Sequence, residues 1–170
     1  VTRKGSLAWK DTLWASVKKR EELEREAVKN EQNTGMYIRP ICLVRTERVG
    51  KEQQGKGWIH SNDVRDELIR GGIPAERIAI KTSEEDELKE IDDIGGLMSR
   101  DCPVRYIITK QALQEGWDCA FAYVLAVLDK THSKTALTQL VGRILRQPYA
   151  KKTGVTLLDE SYVFAYREDA

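Results

Sequence analysis

The sequence predicts an α/β fold, namely an open, mostly parallel sheet flanked by helices and preceded by one long N-terminal helix. Short apolar runs alternate with segments of helical periodicity, as in parallel sheets whose strands are connected by helices. The clearest run, Ala122 to Leu128, is apolar at every position, which indicates a strand covered on both faces. With 170 residues, of which 41% are hydrophobic and 32% charged, the chain can bury a substantial core.

The first predicted element is a helix from about Ser6 to Asn30. Its second half is polar nearly all round, so we expect it to run over a surface or to bridge to another domain. We therefore predict that residues 1–35 form a connector helix from upstream domains and that residues 36–170 form the α/β unit. The chain begins at Val1 rather than Met, from which we expect a fragment of a longer protein.

Five strands and two helices are predicted after this helix. The strands are expected at 41–44, 77–80, 104–108, 122–128 and 162–166. One helix is predicted to begin at Ser61 or Asn62, either of which can serve as its N-cap, and to end at about Arg70 before two glycines. The other is predicted over residues 134–147, before a proline. The acidic stretch after the second strand is expected to form a solvated helix and a connection.

Charge is balanced overall but unevenly distributed along the chain. Because 28 cations face 27 acids, the net charge is +1, which excludes binding to nucleic acid through a strongly basic overall field. Residues 130–158 nevertheless carry six cations and no carboxylate, whereas residues 84–93 carry seven acids and one lysine. Any contact with nucleic acid must therefore come from a few locally placed residues.

Several classes of protein are excluded or not indicated. The three cysteines are far apart and no CxxC or paired His/Cys spacing occurs, so neither a metal site nor a disulfide framework is predicted. Cys42 and Cys119 flank apolar runs and are most simply interpreted as buried thiols of a cytoplasmic protein. The sequence contains no run of eighteen apolar residues and therefore predicts no membrane span.

The predicted helix over residues 134–147 has two distinct faces. Gln139, Gly142, Arg143 and Arg146 share one face, and the apolar residues between them share the other. A glycine inside a helix costs about 1 kcal/mol relative to alanine, so Gly142 suggests that a ligand approaches the backbone closely. A guanidinium suits phosphate because its planar fork donates two parallel hydrogen bonds. The alternative is a solvated helix face, which is what most exposed arginines form.

These residues also carry a resemblance. The pattern QxxGRxxR of Gln139 to Arg146 resembles motif VI of superfamily 2 helicases, and Gly116-Trp117-Asp118, about twenty residues earlier, resembles motif V. The longer strings Ile107 to Cys119 and Leu140 to Ala150 are similar to the Res subunit of type III restriction enzymes, an ATP-driven DNA translocase and nuclease. The resemblance covers about Tyr37 to Tyr166 and implies the second RecA-like lobe of a helicase motor.

The resemblance implies roles for the residues that match these motifs. Arg146 is similar to the arginine finger that reaches the γ-phosphate of ATP bound to another lobe, and Arg143 to a second phosphate contact. Gln139 would position that arginine or the attacking water. Asp118 resembles the aspartate that accepts a hydrogen bond from the ribose, and Gly116 would permit its close approach. ATP and Mg²⁺ are the implied cofactors.

The resemblance also implies contacts with DNA. Thr109 or Lys110 would touch a nucleic-acid phosphate. Weaker candidates follow two other predicted strands, where ligands bind in open α/β folds; these are Arg45, Thr46, Thr82 and Ser83. The implied partners are DNA, the first RecA-like lobe of the same chain and a modification (methyltransferase) subunit.

The sequence lacks the other half of such a motor. It contains no GxxxxGK[ST] loop and no acidic box after a strand, so the phosphate cradle and the magnesium aspartate are missing. We therefore expect no ATP hydrolysis by these residues alone. Two alternatives remain open: a lobe of another superfamily 2 DNA or RNA helicase, and a catalytically inactive RecA-like docking module.

Overall fold

The structure is a computed structural model that describes residues 8–46, 59–82, 86–89, 91, 95–110, 121–128 and 152–165. Its two helices are α1 (Ala8–Thr34) and α2 (Ser61–Arg70). Its five strands are β1 (Ile41–Thr46), β2 (Ile78–Lys81), β3 (Tyr106–Lys110), β4 (Ala122–Val127) and β5 (Tyr162–Ala165). Short 3₁₀ turns, Ala75–Arg77 and Thr156–Leu158, precede β2 and β5.

The five strands form one parallel sheet in the order β2-β3-β1-β4-β5. Every residue of β3 and β4 is buried, as are all but one of β1. Burial at consecutive positions means that both faces of these strands are covered, which explains why their sequences are apolar without alternation. The predicted fold class, an open parallel sheet flanked by helices with a long N-terminal helix, is confirmed.

Helix α1 packs along the sheet through a continuous buried stripe. The stripe contains Trp9, Leu13, Ser16, Val17, Arg20, Leu23, Ala27 and Asn30. Their spacing of three and four residues follows the helical repeat. The helix contacts β1, β4 and β5 and belongs to the same hydrophobic core as the sheet. Of the two roles expected for its polar second half, running over a surface is the one observed; a connection to upstream domains stays a prediction.

Arg20 explains how a charged stretch can lie against the sheet. Its side chain is 2% exposed, and its guanidinium donates to the hydroxyl of Tyr106 (3.1 Å), to the carbonyl of Pro40 (3.0 Å) and to the carboxylate of Glu24 (2.8 Å). Burial raises the pKa of Glu24, but its hydrogen bonds and charge pairing with Arg20 and Arg105 outweigh burial, and the pKa is lowered overall. A buried cation is tolerated because each of these donors has an acceptor.

Helix α2 begins with a cap that differs from the prediction. The N-cap is His60, not Ser61 or Asn62. The His60 Nδ1 accepts a hydrogen bond from the backbone N–H of Asn62 (3.1 Å), and the Asp63 carboxylate accepts one from the backbone N–H of His60 (2.9 Å). Both bonds satisfy N–H groups that have no partner within the helix. The sequence prediction favoured Ser61 and Asn62 because those residue types cap most often.

Two further predictions need correction. Strand β3 covers residues 106–110 rather than 104–108, because the carbonyl of Val104 accepts from the Arg39 Nε (2.9 Å) while Thr109 and Lys110 continue the ladder beside β1. The described residues of the acidic stretch (86–89 and 91) form a bridge, a turn and 3₁₀ residues rather than a helix. Asp86 and Glu87 are held by backbone contacts with β2.

Candidate functional site at the carboxyl end of the sheet

Parallel strands place their carboxyl ends on the same side of a sheet, which is where ligands bind in open α/β folds. We call this region the carboxyl end of the sheet. Thr46 of β1 is in register with Lys110 of β3, and Thr109 is in register with both Arg45 of β1 and Lys81 of β2. The predicted nucleic-acid residues Arg45 and Thr46 on β1 and Thr109 and Lys110 on β3 are therefore brought together in space. Thr82, another of them, follows Lys81 directly.

The hydroxyl groups in this region are used within the protein. Thr46 is fully buried and Thr109 is 2% exposed. The Thr46 hydroxyl donates to the main-chain carbonyl of Thr109 (3.3 Å), which ties the end of β1 to the end of β3. Thr82 and Lys110 are also buried, whereas Arg45 and Lys81 are partly exposed. Among the described residues at these strand ends, the partly exposed cations are therefore Arg45 and Lys81.

Lys81 is the residue that the sequence prediction passed over. Its ammonium lies 2.6 Å from the Asp86 Oδ2, and the two side chains are 31% and 22% exposed. The hydrogen bond from Lys81 is the largest influence on Asp86 and lowers the pKa of that carboxyl below its ordinary value. The available signal was position: Lys81 stands at the end of a predicted strand, immediately before Thr82.

The segment containing Asp86 closes the outer side of β2. The backbone of Asp86 forms an antiparallel bridge with Lys81, and the Glu87 N–H donates to the Ile80 carbonyl (3.0 Å). The Glu87 carboxylate accepts from the Ile80 N–H (2.6 Å) and also from Arg65 of α2. Asp86 and Glu87 thus satisfy the exposed backbone groups of an edge strand, which the prediction of a solvated face did not anticipate.

Seven of the predicted site residues lie outside the described residues. These are Gly116, Asp118, Gln139, Gly142, Arg143 and Arg146 of the predicted nucleotide site, and Ser83, a predicted nucleic-acid contact. The topology does constrain where their segments leave the sheet. Residue 111 follows β3 and residue 128 follows β4, so both segments depart from the carboxyl end of the sheet. These two strands flank β1 on either side.

Within the described part of the chain, no group of three or more His, Cys, Asp or Glu side chains is arranged to hold a metal ion. The thiol of Cys42 is completely buried, and burial raises its pKa to about 12, which keeps it protonated and unreactive. The helices of the described ranges also include none with the length and apolarity needed to cross a membrane.

The chain was compared with known proteins. No protein-family model matches it, and no curated protein is significantly similar. Among solved structures, it is similar to a variant of the C-terminal domain of S. cerevisiae Dbp5 in a structure with Gle1 and IP6, at 14% identity and a TM-score of 0.39. The match covers 91% of this chain and 86% of that one. A TM-score this low does not establish a common fold.

Proposed function

We propose that this chain is the second RecA-like lobe of a superfamily 2 helicase or translocase motor. The observation that carries the proposal is the coincidence of two patterns at one place in the fold. The segments that contain GWD and QxxGRxxR follow β3 and β4, and both leave from the carboxyl end of the sheet, where Arg45 and Lys81 are partly exposed. A lobe that binds nucleotide and nucleic acid at one side of its sheet needs this arrangement.

In the proposed mechanism, Arg146 reaches across a cleft to the γ-phosphate of ATP held by a first lobe. Phosphoryl transfer spreads negative charge over the γ-oxygens, and a positioned arginine there accelerates the reaction by roughly 10³–10⁵-fold. Arg143 would make a second phosphate contact, and Gln139 would position this arginine or the attacking water. Mg²⁺, bound by the first lobe, would neutralise charge between the phosphates.

The remaining residues would couple hydrolysis to nucleic acid. Asp118 would accept a hydrogen bond from the ribose, with Gly116 and Gly142 allowing close approach to the backbone. The cations at the carboxyl end of the sheet would contact nucleic-acid phosphates. Because the arginines and the phosphate cradle belong to different lobes, closing the cleft would both assemble the catalytic site and shift the nucleic acid.

More specifically, we propose a DNA translocase of a type III restriction system, acting in the cytoplasm with a methyltransferase subunit. This proposal is supported by the strings Ile107 to Cys119 and Leu140 to Ala150, which are similar to the Res subunit. Measuring the ATPase activity of the complete protein with duplex DNA and with RNA separates it from a helicase for RNA. Stimulation by RNA but not by duplex DNA would contradict the restriction assignment.

The experiment that tests the motor is Arg146→Ala in the complete protein. We expect DNA-stimulated ATPase to fall by about two or more orders of magnitude, with near-normal nucleotide binding, because the arginine acts mainly on the transition state. Arg146→Lys keeps the charge but loses the planar fork, and should restore only part of the rate.

The matched control for this experiment is Arg100→Ala. Arg100 is an exposed arginine that pairs with Glu31 of α1, away from the carboxyl end of the sheet, and its removal should leave turnover unchanged. Full ATPase activity in Arg146→Ala would remove the arginine-finger assignment.

A further inference from the structure

The ion pair between Lys81 and Asp86 lies at the place where the proposed function requires contact with nucleic acid. Lys81 is in register with Thr109 at the carboxyl end of the sheet, its side chain is 31% exposed, and its ammonium lies 2.6 Å from the Asp86 Oδ2. Lys81, one of the two partly exposed cations at the described strand ends, is therefore paired with a carboxylate of the same chain. An approaching polyanion would therefore meet a lysine that is already paired with Asp86.

The position of Asp86 is set by its backbone and not by Lys81 alone. The bridge between residues 81 and 86 fixes the backbone of Asp86 beside β2. Its second carboxylate oxygen accepts from the Leu88 N–H (3.1 Å), and the adjacent Glu87 is bonded to Ile80 in both directions. The carboxylate is therefore held in place even when the lysine moves, whereas the lysine has a flexible stem that allows its ammonium to swing outward.

We propose that Asp86 competes with the nucleic-acid backbone for Lys81, so that Lys81 contacts phosphate only after leaving Asp86. The inference rests on the proposed function and adds a phosphate contact and its intramolecular competitor. A partly exposed ion pair is weak, because solvent screens it and both side chains lose freedom. A phosphate can therefore displace Asp86, and the pair reduces the affinity without abolishing binding.

The competition makes two quantitative predictions for binding of a labelled duplex DNA to the complete protein. Lys81→Ala should lower the magnitude of the slope of log K against log salt concentration by about 0.9, the loss of one phosphate contact. Asp86→Asn keeps the oxygen that accepts from Leu88 but loses the charge that holds Lys81. It should tighten binding at low salt by up to about fivefold, because exposed ion pairs are weak.

The decisive variant is the double mutant that combines Lys81→Ala with Asp86→Asn. If Asp86 acts through Lys81, then Asp86→Asn should have no effect on affinity in the Lys81→Ala background. Equal tightening in both backgrounds would mean that Asp86 merely repels DNA, and this outcome would overturn the proposal. An unchanged salt slope in Lys81→Ala would overturn it as well.

Matched controls come from one exposed lysine and one exposed acid. Lys89→Ala removes an exposed lysine of the acidic segment, and Asp66→Asn removes an exposed acid of α2; neither should reproduce the effects of Lys81→Ala and Asp86→Asn. Thermal melting of each variant checks the fold. If Asp86→Asn melts at a lower temperature than the parent protein, the salt dependence of binding by Lys81→Ala alone decides. Lys81→Ala is suitable because it removes no side-chain hydrogen bond to the backbone.

The same samples distinguish the two proposals. Loss of ATPase in Arg146→Ala together with an unchanged slope in Lys81→Ala would leave the motor assignment in place and remove only the competition. A complete protein that does not bind duplex DNA at all would overturn both.

Discussion

Glu67 of α2 bonds to a side chain of α1 as well as to one of its own helix. Its carboxylate is almost fully buried and accepts hydrogen bonds from two Arg70 nitrogens (2.9 and 2.6 Å) and from the Trp14 indole (2.8 Å), with the Lys10 ammonium 3.5 Å away. The hydrogen bonds from Arg70 contribute most to the shift in the pKa of Glu67, which is lowered to about 2. A buried charge that is paired and hydrogen-bonded in this way stabilises the fold only while it is ionised.

Replacing Glu67 by Gln should therefore change how stability depends on pH. Because the pKa is depressed in the folded state, the contribution of Glu67 is fully present above its ordinary value of about 4.5 and is lost as the pH falls toward 2. At pH 7 we expect Glu67→Gln to lower the free energy of unfolding by about 1–3 kcal/mol. Urea unfolding of parent and variant between pH 2 and pH 7 measures this.

Two features distinguish this effect from a general change of charge. The difference between parent and Glu67→Gln should shrink below pH 4.5, and the exposed neighbour Asp66, changed to Asn, should leave the curve unaltered. A Glu67→Gln variant that loses the same stability at pH 3 as at pH 7 would rule out ionisation as the cause.

The residues that sequence reasoning misjudged share a physical feature. Arg20 can be buried because it donates hydrogen bonds to Tyr106 and to Pro40. These partners lie 86 and 20 residues away along the chain, so no local sequence pattern indicates them. Lys81 was passed over for the same reason. Its significance comes from the register with Thr109, which only strand pairing reveals. Composition and periodicity predict which segments are inside, but the pairing of individual polar groups follows from tertiary structure.

At the scale of elements, strands were easier to predict than their ends. Residues 122–127 became a strand almost as predicted, because an apolar run buried on both faces has few other structures available. Residues 162–165 also form the predicted strand, at the edge of the sheet and with alternating exposure. Strand β3 moved toward its polar end because Thr109 and Lys110 pair with β1. The predicted α2 was correct in extent, while its cap was not. Hydrogen bonds to neighbours decide where an element ends, and sequence patterns contain little of that information.

The contact between α1 and α2 requires a small residue at position 71. The backbone of Gly71 caps α2 with a φ of −80°, which any residue can adopt, but an added Cβ would collide with the Trp14 ring. We expect Gly71→Ala to lower the free energy of unfolding by about 1–3 kcal/mol, as overpacking does elsewhere. Because no backbone strain is involved, the loss of stability should come only from the collision with the Trp14 ring. Chemical denaturation measures it.

A double-mutant cycle checks the origin of this cost. Trp14→Leu opens the space that the ring fills, so Gly71→Ala should cost much less in this background. The same cost in both backgrounds would mean that the alanine disturbs the helix end itself and does not act through the ring.

At the scale of the whole molecule, the sheet order determines which residues meet. β1 lies between β3 and β4, so the carboxyl ends of three strands distant in sequence become neighbours. The sequence predicts Arg45 and Thr46 just after one strand and Thr109 and Lys110 just after another, and the structure brings these positions together. The sequence does not predict that Thr46 and Thr109 are buried and bonded to each other, since an isolated strand does not reveal which neighbour covers it.

The last prediction concerns the 170-residue chain on its own. If the chain supplies arginines to a nucleotide held elsewhere, it should neither turn over ATP nor bind it tightly, because its sequence has no phosphate-cradling loop. With about 1 mM Mg-ATP and a Kd of about 1 mM or weaker, ligand binding adds at most about 0.4 kcal/mol of stability. That corresponds to a rise in melting temperature of only about 1–2 °C. The complete protein should show a larger rise and DNA-stimulated turnover under the same conditions. Robust ATP hydrolysis by the isolated chain would mean that a complete catalytic site lies within these 170 residues, and the two-lobe arrangement would then have to be abandoned.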